Sequence, residues 1–151
     1  MDRIYKYTVP TRIDFGPGAI GELGKVLSGL SLTLPLVVCD QGIRDCGLLE
    51  QAIDASGSAG KELPVFDGVA SNPREENVLE AVDVYRRESC DGIVAIGGGS
   101  VIDAAKAIGL LSANEGDLDD FDILKHGAAK IQNEPPPLVA IPTTAGTGSE
   151  V

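Results

Sequence analysis

The apolar positions of this chain repeat at two alternating periods. Ile4–Val9 and Arg12–Phe15 alternate apolar and polar residues across Pro10, which predicts two short antiparallel strands at a sheet edge. After Gly16-Pro17-Gly18, the residues Ile20, Leu23, Leu27 and Leu30 mark one face of a helix. Leu34–Cys39 is a continuous apolar run of strand length that stops on Asp40, and Leu48, Leu49, Ala52 and Ile53 give the next helix. Leu63–Phe66 reads as a short strand. Asn72-Pro73-Arg74-Glu75 then carries three helix-start signals: a capping Asn, a proline at the first helical position and an acid at the third. Val78, Ala81, Val82 and Tyr85 form the buried face of that helix. Ile93–Ile96 is a buried strand, Gly97–Ser100 a turn, and Val101–Leu111 a helix that is apolar almost all round. Residues 112–137 are polar and acidic and end in Pro135–Pro137, a surface excursion with one helical turn. Leu138–Ile141 is another buried strand, and PTTAGTGSE (142–150) is a second loop of glycines and hydroxyls.

Strands alternating with helices at this spacing predict an α/β fold. We expect a doubly wound, mostly parallel sheet, covered on both faces, with the N-terminal antiparallel strand pair at its edge. The 151 residues match the size of one domain. Ligands in such sheets bind outside the carboxyl ends of the strands. Asp40, the Ser71-Asn72 turn, the Gly97–Ser100 loop and the Thr143–Thr147 loop all fall at those ends. Four polar or glycine-rich loops therefore converge on one edge.

Composition removes several functional classes. Twelve basic against 23 acidic residues give a net charge of −11 with no basic cluster, which argues against nucleic-acid binding. No apolar run is long enough to cross a bilayer, and MDRIYKYTVP has no apolar signal core, so a cytoplasmic protein without membrane contact is expected. Cys39, Cys46 and Cys90 show no metal or redox spacing and suit a reducing compartment. The single histidine, His126, lies in a polar segment. Zinc and iron sites draw three or four ligands from His, Cys and carboxylates, and no cluster here supplies them.

GGGS (97–100) supports two readings. It sits between a strand and a helix N-terminus, where exposed N–H groups favour an anion and glycines admit a pyrophosphate without a Cβ in the way. Alternatively the glycines make a tight turn, and Ser100 with Asp103 forms a capping box for the helix they begin. The dinucleotide fingerprint G-x-G-x-x-G is half met, because Ile102 takes the third glycine position. Asp40 is then the ribose candidate: a carboxylate there accepts from adenosine ribose hydroxyls and repels a 2′-phosphate. Equally, Asp40 starts a solvated turn. A phosphotransferase would carry an acid in a G-G-D-G-[ST] turn, where this chain has Gly99, and the phosphate loop GxxxxGK[ST] is absent. A stand-alone nucleotide-binding module without catalysis is the non-enzymatic alternative.

GGGSVIDAAKAIG together with IPTTAGTGSEV resembles the iron-containing (group III) alcohol dehydrogenases, over essentially the whole chain. Glycerol dehydrogenases, maleylacetate reductases and dehydroquinate synthases are related alternatives; glycerol dehydrogenases and dehydroquinate synthases share the triple glycine but differ in the second loop. The resemblance implies that residues 1–151 are the N-terminal NAD-binding domain, incomplete at its C-terminal end and truncated relative to the two-domain family fold. Gly97, Gly98 and Ser100 would then line the pyrophosphate, with Thr143 and Thr144 closing over adenine and diphosphate. Thr147 would lie near the nicotinamide, and Asp40 would favour NAD(H) over NADP(H). Asn72 and Asp103 would lie beside the cofactor. The family moves a hydride between nicotinamide and an alcohol or aldehyde whose oxygen is polarised by Fe2+ or Zn2+. Its metal ligands, one Asp and three His, belong to a helical domain outside these residues. No turnover is expected from the 151 residues alone, and a homodimer is expected for the full-length form.

Overall fold

The apolar runs become a sheet whose two inner strands are buried from both sides, while Leu138–Ile141, expected to be buried, is half-buried at the edge of the described sheet. The computed structural model describes residues 11–57 and 62–149. Four strands, β1 (Leu36–Val38), β2 (Val65–Phe66), β3 (Ile93–Gly97) and β4 (Leu138–Pro142), pair in parallel in the order β2-β1-β3-β4. The register sets Val37 beside both Val65 and Val94, and Ala95 beside Ala140. Side chains alternate across the pleat. Leu36, Val38, Ile93 and Ala95 enter one core, while Val37, Cys39, Val94 and Ile96 enter the other.

Helices fill both cores. Leu23 and Leu27 of α1 (Leu23–Gly29), Ile43 of α2 (Gln41–Asp45) and Leu49 and Ala52 of α3 (Leu48–Ala55) cover the second face. Val78, Ala81 and Val82 of α4 (Glu75–Arg87) cover the first, with Val101, Ile102, Ala105 and Ile108 of α5 (Gly99–Ala113). The nearly all-apolar α5 packs against β3 on one side and α4 on the other, which is why it lacks a polar stripe. Both α1 and α4 end at a serine in the left-handed region, Ser31 (φ 59°) and Ser89 (φ 56°). There Leu32 N–H returns to Leu27 O at 2.9 Å and Cys90 N–H to Tyr85 O at 3.0 Å, the bond pattern that glycine usually closes.

Several expectations need correction. Arg12–Phe15, the second arm of the expected antiparallel pair, carries no strand among the described residues; Phe15 is 99% exposed, and Arg12 pairs with Asp14. The first arm, Ile4–Val9, lies outside the described residues. Helix α4 starts at Glu75, two residues later than the Asn72-Pro73 signal suggested. Arg74 keeps extended dihedrals (φ −111°, ψ 165°), and its N–H donates to Asn77 Oδ1 at 3.3 Å. Helix α2 was not expected. The excursion 112–137 holds three short turns, Leu118–Phe121, α6 (Ile123–His126) and Ala128–Lys130, with Phe121 in the core. Its base is fastened by Asn114, 4% exposed, whose Oδ1 accepts from Gln132 and Asn133 N–H at 2.9 Å each.

Candidate functional site

The strand order fixes where a site can form. β1 connects outward to β2 and β3 connects the opposite way to β4, so the connections that leave the carboxyl ends of these two adjacent strands run to opposite sides of the sheet. A crevice opens there in parallel sheets. Asp40 follows β1, Gly98 follows β3, and Thr143 follows β4, where its N–H extends the pairing to Gly97 O at 2.9 Å.

Each glycine of the triplet has its own neighbour. A Cβ on Gly97 (φ 156°) would lie 2.6 Å from Val101 Cγ2, so the fold itself excludes a side chain. On Gly98 it would meet Thr144 Oγ1 at 3.2 Å, and on Gly99 it would meet Thr147 Cβ and Ser149 Oγ at 3.1 Å. The second loop therefore rests directly on the first. The chain's own Val101 and hydroxyl loop already demand part of what the sequence attributed to a ligand.

The capping reading of Ser100 is overturned. Gly98 is the N-cap of α5 and no side chain caps this helix. Ser100 Oγ instead donates to Ser71 O at 2.9 Å, tying the turn after β2 to the first turn of α5. Val101 and Ile102 N–H both return to Gly98 O, at 3.1 and 3.2 Å, so the amides of Gly99 and Ser100 are the ones left for an anion. A serine hydroxyl has one proton to give, and this one is committed to Ser71. Ser100 therefore offers a phosphate its N–H and not its hydroxyl.

Those amides open on a cleft of about 530 Å3. Asn72, Pro73, Arg74 and Glu75 make one wall, Gly99, Ser100 and Asp103 the other, and Thr147 with buried Ser149 the roof. Val78, Ala104, Ala107 and Leu118 form an apolar floor. Four of the nine expected site residues, Asn72, Ser100, Asp103 and Thr147, thus line one cavity. Gly97, Gly98, Thr143 and Thr144 lie at its β3–β4 side and do not line it. Asp40 stands apart at the end of β1, half-buried, where Oδ1 accepts the Ile43 N–H at 2.9 Å and caps α2. Its Oδ2 has no donor among the described residues.

Sequence reading missed Arg74 and Ser149 in this cleft. Arg74 was absorbed into a helix-start signal; a cation beside an uncapped helix end was the clue. Ser149 belongs to the same hydroxyl loop as Thr147 and accounts for the tight fit over Gly99. A second hollow, about 760 Å3, lies at the far end of α5, where several lining groups are already engaged. There Arg86 donates to Leu111 O at 2.7 Å and Lys130 pairs with Asp120 at 2.5 Å.

The two buried cysteines, Cys39 and Cys90, stay out of the chemistry. Burial, then the charges of Asp67 and Asp40, push the Cys39 thiol up to about 12. Burial likewise pushes Cys90 up to about 11, so neither supplies a thiolate near neutral pH. Among the described residues no three His, Cys, Asp or Glu side chains converge on a point that could hold a metal. Nor is any described helix long and apolar enough to cross a membrane.

Comparison with known proteins identifies the family and the fold. The family model described as iron-containing alcohol dehydrogenase matches residues 10–151. The chain is 40% identical over 151 residues to choline dehydrogenase of Bacillus subtilis (strain 168), covering 100% of this chain and 37% of that protein. It is 41% identical over 151 residues to 1,3-propanediol dehydrogenase of Klebsiella pneumoniae, covering 99% and 38%. The solved sulfoacetaldehyde reductase of Bifidobacterium kashiwanohense, in complex with NAD+, superposes with a TM-score of 0.85 at 32% identity, covering 99% and 39%. The chain thus spans well under half the length of these relatives. It belongs to the iron-containing alcohol dehydrogenase family.

Proposed function

We propose that this chain is the dinucleotide-binding part of an NAD(H)-linked alcohol dehydrogenase or aldehyde reductase. The observation that carries the reading is the start of α5: a 15-residue helix with no side-chain cap among the described residues, the amides of Gly99 and Ser100 opening on the cleft between the start of α4 and the hydroxyl loop. Helix N-termini of this kind favour a diphosphate through their N–H groups and dipole. The amides of Gly99 and Ser100 receive the pyrophosphate, and Gly97 and Gly98 let the chain pack closely beside it. Thr143 and Thr144 cover the adenine and diphosphate side. Thr147, on the roof beside Asn72 and Asp103, faces the nicotinamide half. Asp40 reaches the adenosine ribose with the carboxylate oxygen that does not cap α2.

Bound NAD supplies the hydride-accepting nicotinamide carbon; the chain's own task is to hold and orient it and to keep water from the apolar floor of the cleft. The described donors do not fit an iron site, so no step is assigned to a metal on this chain. The relatives are named for choline, 1,3-propanediol and sulfoacetaldehyde, which supports a small alcohol or aldehyde as the substrate class.

Fluorescence titration of the complete natural protein with NADH tests this reading. NADH binds and ADP-ribose displaces it, because ADP-ribose carries the same diphosphate and both riboses. ATP competes poorly. Absence of NADH binding, or tighter binding of ATP than of NADH, overturns it.

A further inference from the structure

Three charged side chains cluster where β1 and β2 end, outside the cleft that α5 opens on. Asp40 follows β1 by two residues, and Asp67 directly follows β2. The two ends are adjacent, with Val38 paired to Phe66 and Cys39 N–H bonded to Phe66 O at 2.9 Å. Arg44 lies one turn along α2 from Asp40 and closes its guanidinium onto Asp67 Oδ2. The electrostatics of buried Cys39 register the same cluster: Asp67 and Asp40 push its thiol up while Arg44 opposes them. Two carboxylates and one guanidinium, with Glu50 also acting on Arg44, leave this corner net negative, and the half-exposed guanidinium is paired to Asp67 through one of its terminal nitrogens.

We propose that Asp67 is a specificity-determining residue that holds Arg44 captive, so that no cation is available to a dinucleotide bearing a 2′-phosphate. The inference rests on the reading that adenosine ribose meets Asp40. Arg is the side chain best suited to grip a phosphate, through a planar fork of N–H donors. Four residues from Asp40, a free Arg44 would be such a grip. Bound to Asp67, it instead leaves Asp40 and Asp67 to repel the added phosphate. Discrimination at this corner then comes from two elements, the repelling carboxylate of Asp40 and the captured cation beside it. The exposed half of the Arg44–Asp67 pair lies in solvent, and pairs of that kind carry little of a fold's stability, so Asp67 is replaceable without unfolding the chain.

The test is NADH and NADPH fluorescence titration of the complete natural protein and three variants, Asp67→Asn, Arg44→Gln and the double replacement, each checked for an unchanged far-ultraviolet circular dichroism spectrum. Asp67→Asn raises NADPH affinity relative to NADH by about tenfold or more, the effect of a charge-assisted phosphate contact. The double variant loses most of that gain, because the liberated guanidinium is its source. An unchanged NADPH to NADH ratio in Asp67→Asn overturns the proposal. So does a gain that survives intact in the double variant, which assigns the effect to the lost carboxylate alone. If the wild-type protein binds no NADH, the cofactor reading itself fails, a result separate from either outcome in the variants.

Discussion

Gly97 and Gly98 stand side by side in sequence, yet alanine at each should fail in a different way. At Gly97 the added Cβ lies 2.6 Å from Val101 Cγ2 and 2.8 Å from Val101 Cβ, in a buried turn with φ at 156°. Overpacking costs about 1–3 kcal/mol and a dihedral that L-residues avoid another ~1–3 kcal/mol. Gly97→Ala should therefore destabilise by about 3 kcal/mol or more, which lowers Tm by roughly 6–12 °C for a domain of this size. At Gly98 the backbone is extended (φ −78°, ψ −173°), a conformation any residue adopts, and the contact at 3.2 Å is to the exposed Thr144 hydroxyl, which can turn aside. The cost there is the poorer N-cap, about 1 kcal/mol and roughly 2–4 °C. NADH affinity should reverse the order of importance: Gly98→Ala pushes aside the Thr144 hydroxyl, which covers the diphosphate, and costs at least about tenfold, or ~1.4 kcal/mol. Thermal melts and NADH fluorescence titration on both variants measure the two effects. Wild-type NADH affinity in folded Gly98→Ala refutes the phosphate cradle, and a Gly97→Ala melt no lower than that of Gly98→Ala refutes the packing argument.

Asp91 accepts from Thr33 N–H at 2.6 Å, Thr33 Oγ1 at 2.8 Å and Leu34 N–H at 3.0 Å. Its burial pushes the carboxyl up, but those donors outweigh it and hold the pKa below its ordinary 3.8. Asp91→Ala should cost about 1–2 kcal/mol near neutrality, a stability term present above the unfolded pKa and lost as pH falls through the lower folded one. Urea unfolding at neutral pH and below about pH 3 should show the wild-type advantage shrinking in acid; a gap independent of pH rules out the mechanism. Asn114→Ala removes an amide that holds the Gln132 and Asn133 N–H groups and donates to Leu110 O at 3.1 Å and Asn133 O at 3.0 Å. About 2–4 kcal/mol should be lost, with faster hydrogen exchange at residues 132 and 133; unchanged protection there contradicts the staple. Ser89→Gly relieves a left-handed serine (φ 56°) and should stabilise by about 0.5–1 kcal/mol, a prediction defeated by a lower Tm.

What could be read from the sequence followed from burial on both faces. Leu36–Val38, Ile93–Gly97 and Leu138–Pro142 are apolar without alternation because they serve two cores at once, and that signal survives without any partner information. Helix α2 was illegible because it is five residues long, with Ile43 its only buried side chain and a glycine at its second position. Its one cue, an Asp three residues before a buried N–H, was the Asp40 already assigned to ribose. The ends of α1 and α4 gave no stop signal because serine occupies the left-handed position where glycine would advertise it. The start of α4 was misplaced because Asn72-Pro73 fits the local grammar of a helix start while the chain uses those residues as a cleft wall. At the site, the loops were legible and their mutual contacts were not. Ser100 bonding Ser71, across 29 residues, leaves no trace in local spacing.

Three adjacent glycines with one purpose would show one kind of neighbour, and these show three. Gly97 yields to the side chain of Val101, Gly98 to Thr144, and Gly99 to Thr147 and Ser149. The loop that crosses them is built of small hydroxyl residues, and these two facts require each other. Any Cβ at 98 or 99 would press into the loop from below, 3.1–3.2 Å from Thr144, Thr147 and Ser149, and larger side chains at those three positions would compete for the same space. The loops are therefore seated on one another, while Ser100 fastens the same turn to Ser71 from the other side. Three segments that follow β2, β3 and β4 are joined at the first turn of α5 without any of them capping it. That arrangement leaves the amides of Gly99 and Ser100 without a partner among the described residues, within a turn tied down on both sides, and fixed donors need little reorganisation to meet an anion. The glycines thus contribute to a binding site indirectly, by letting the chain pack closely around an open helix end.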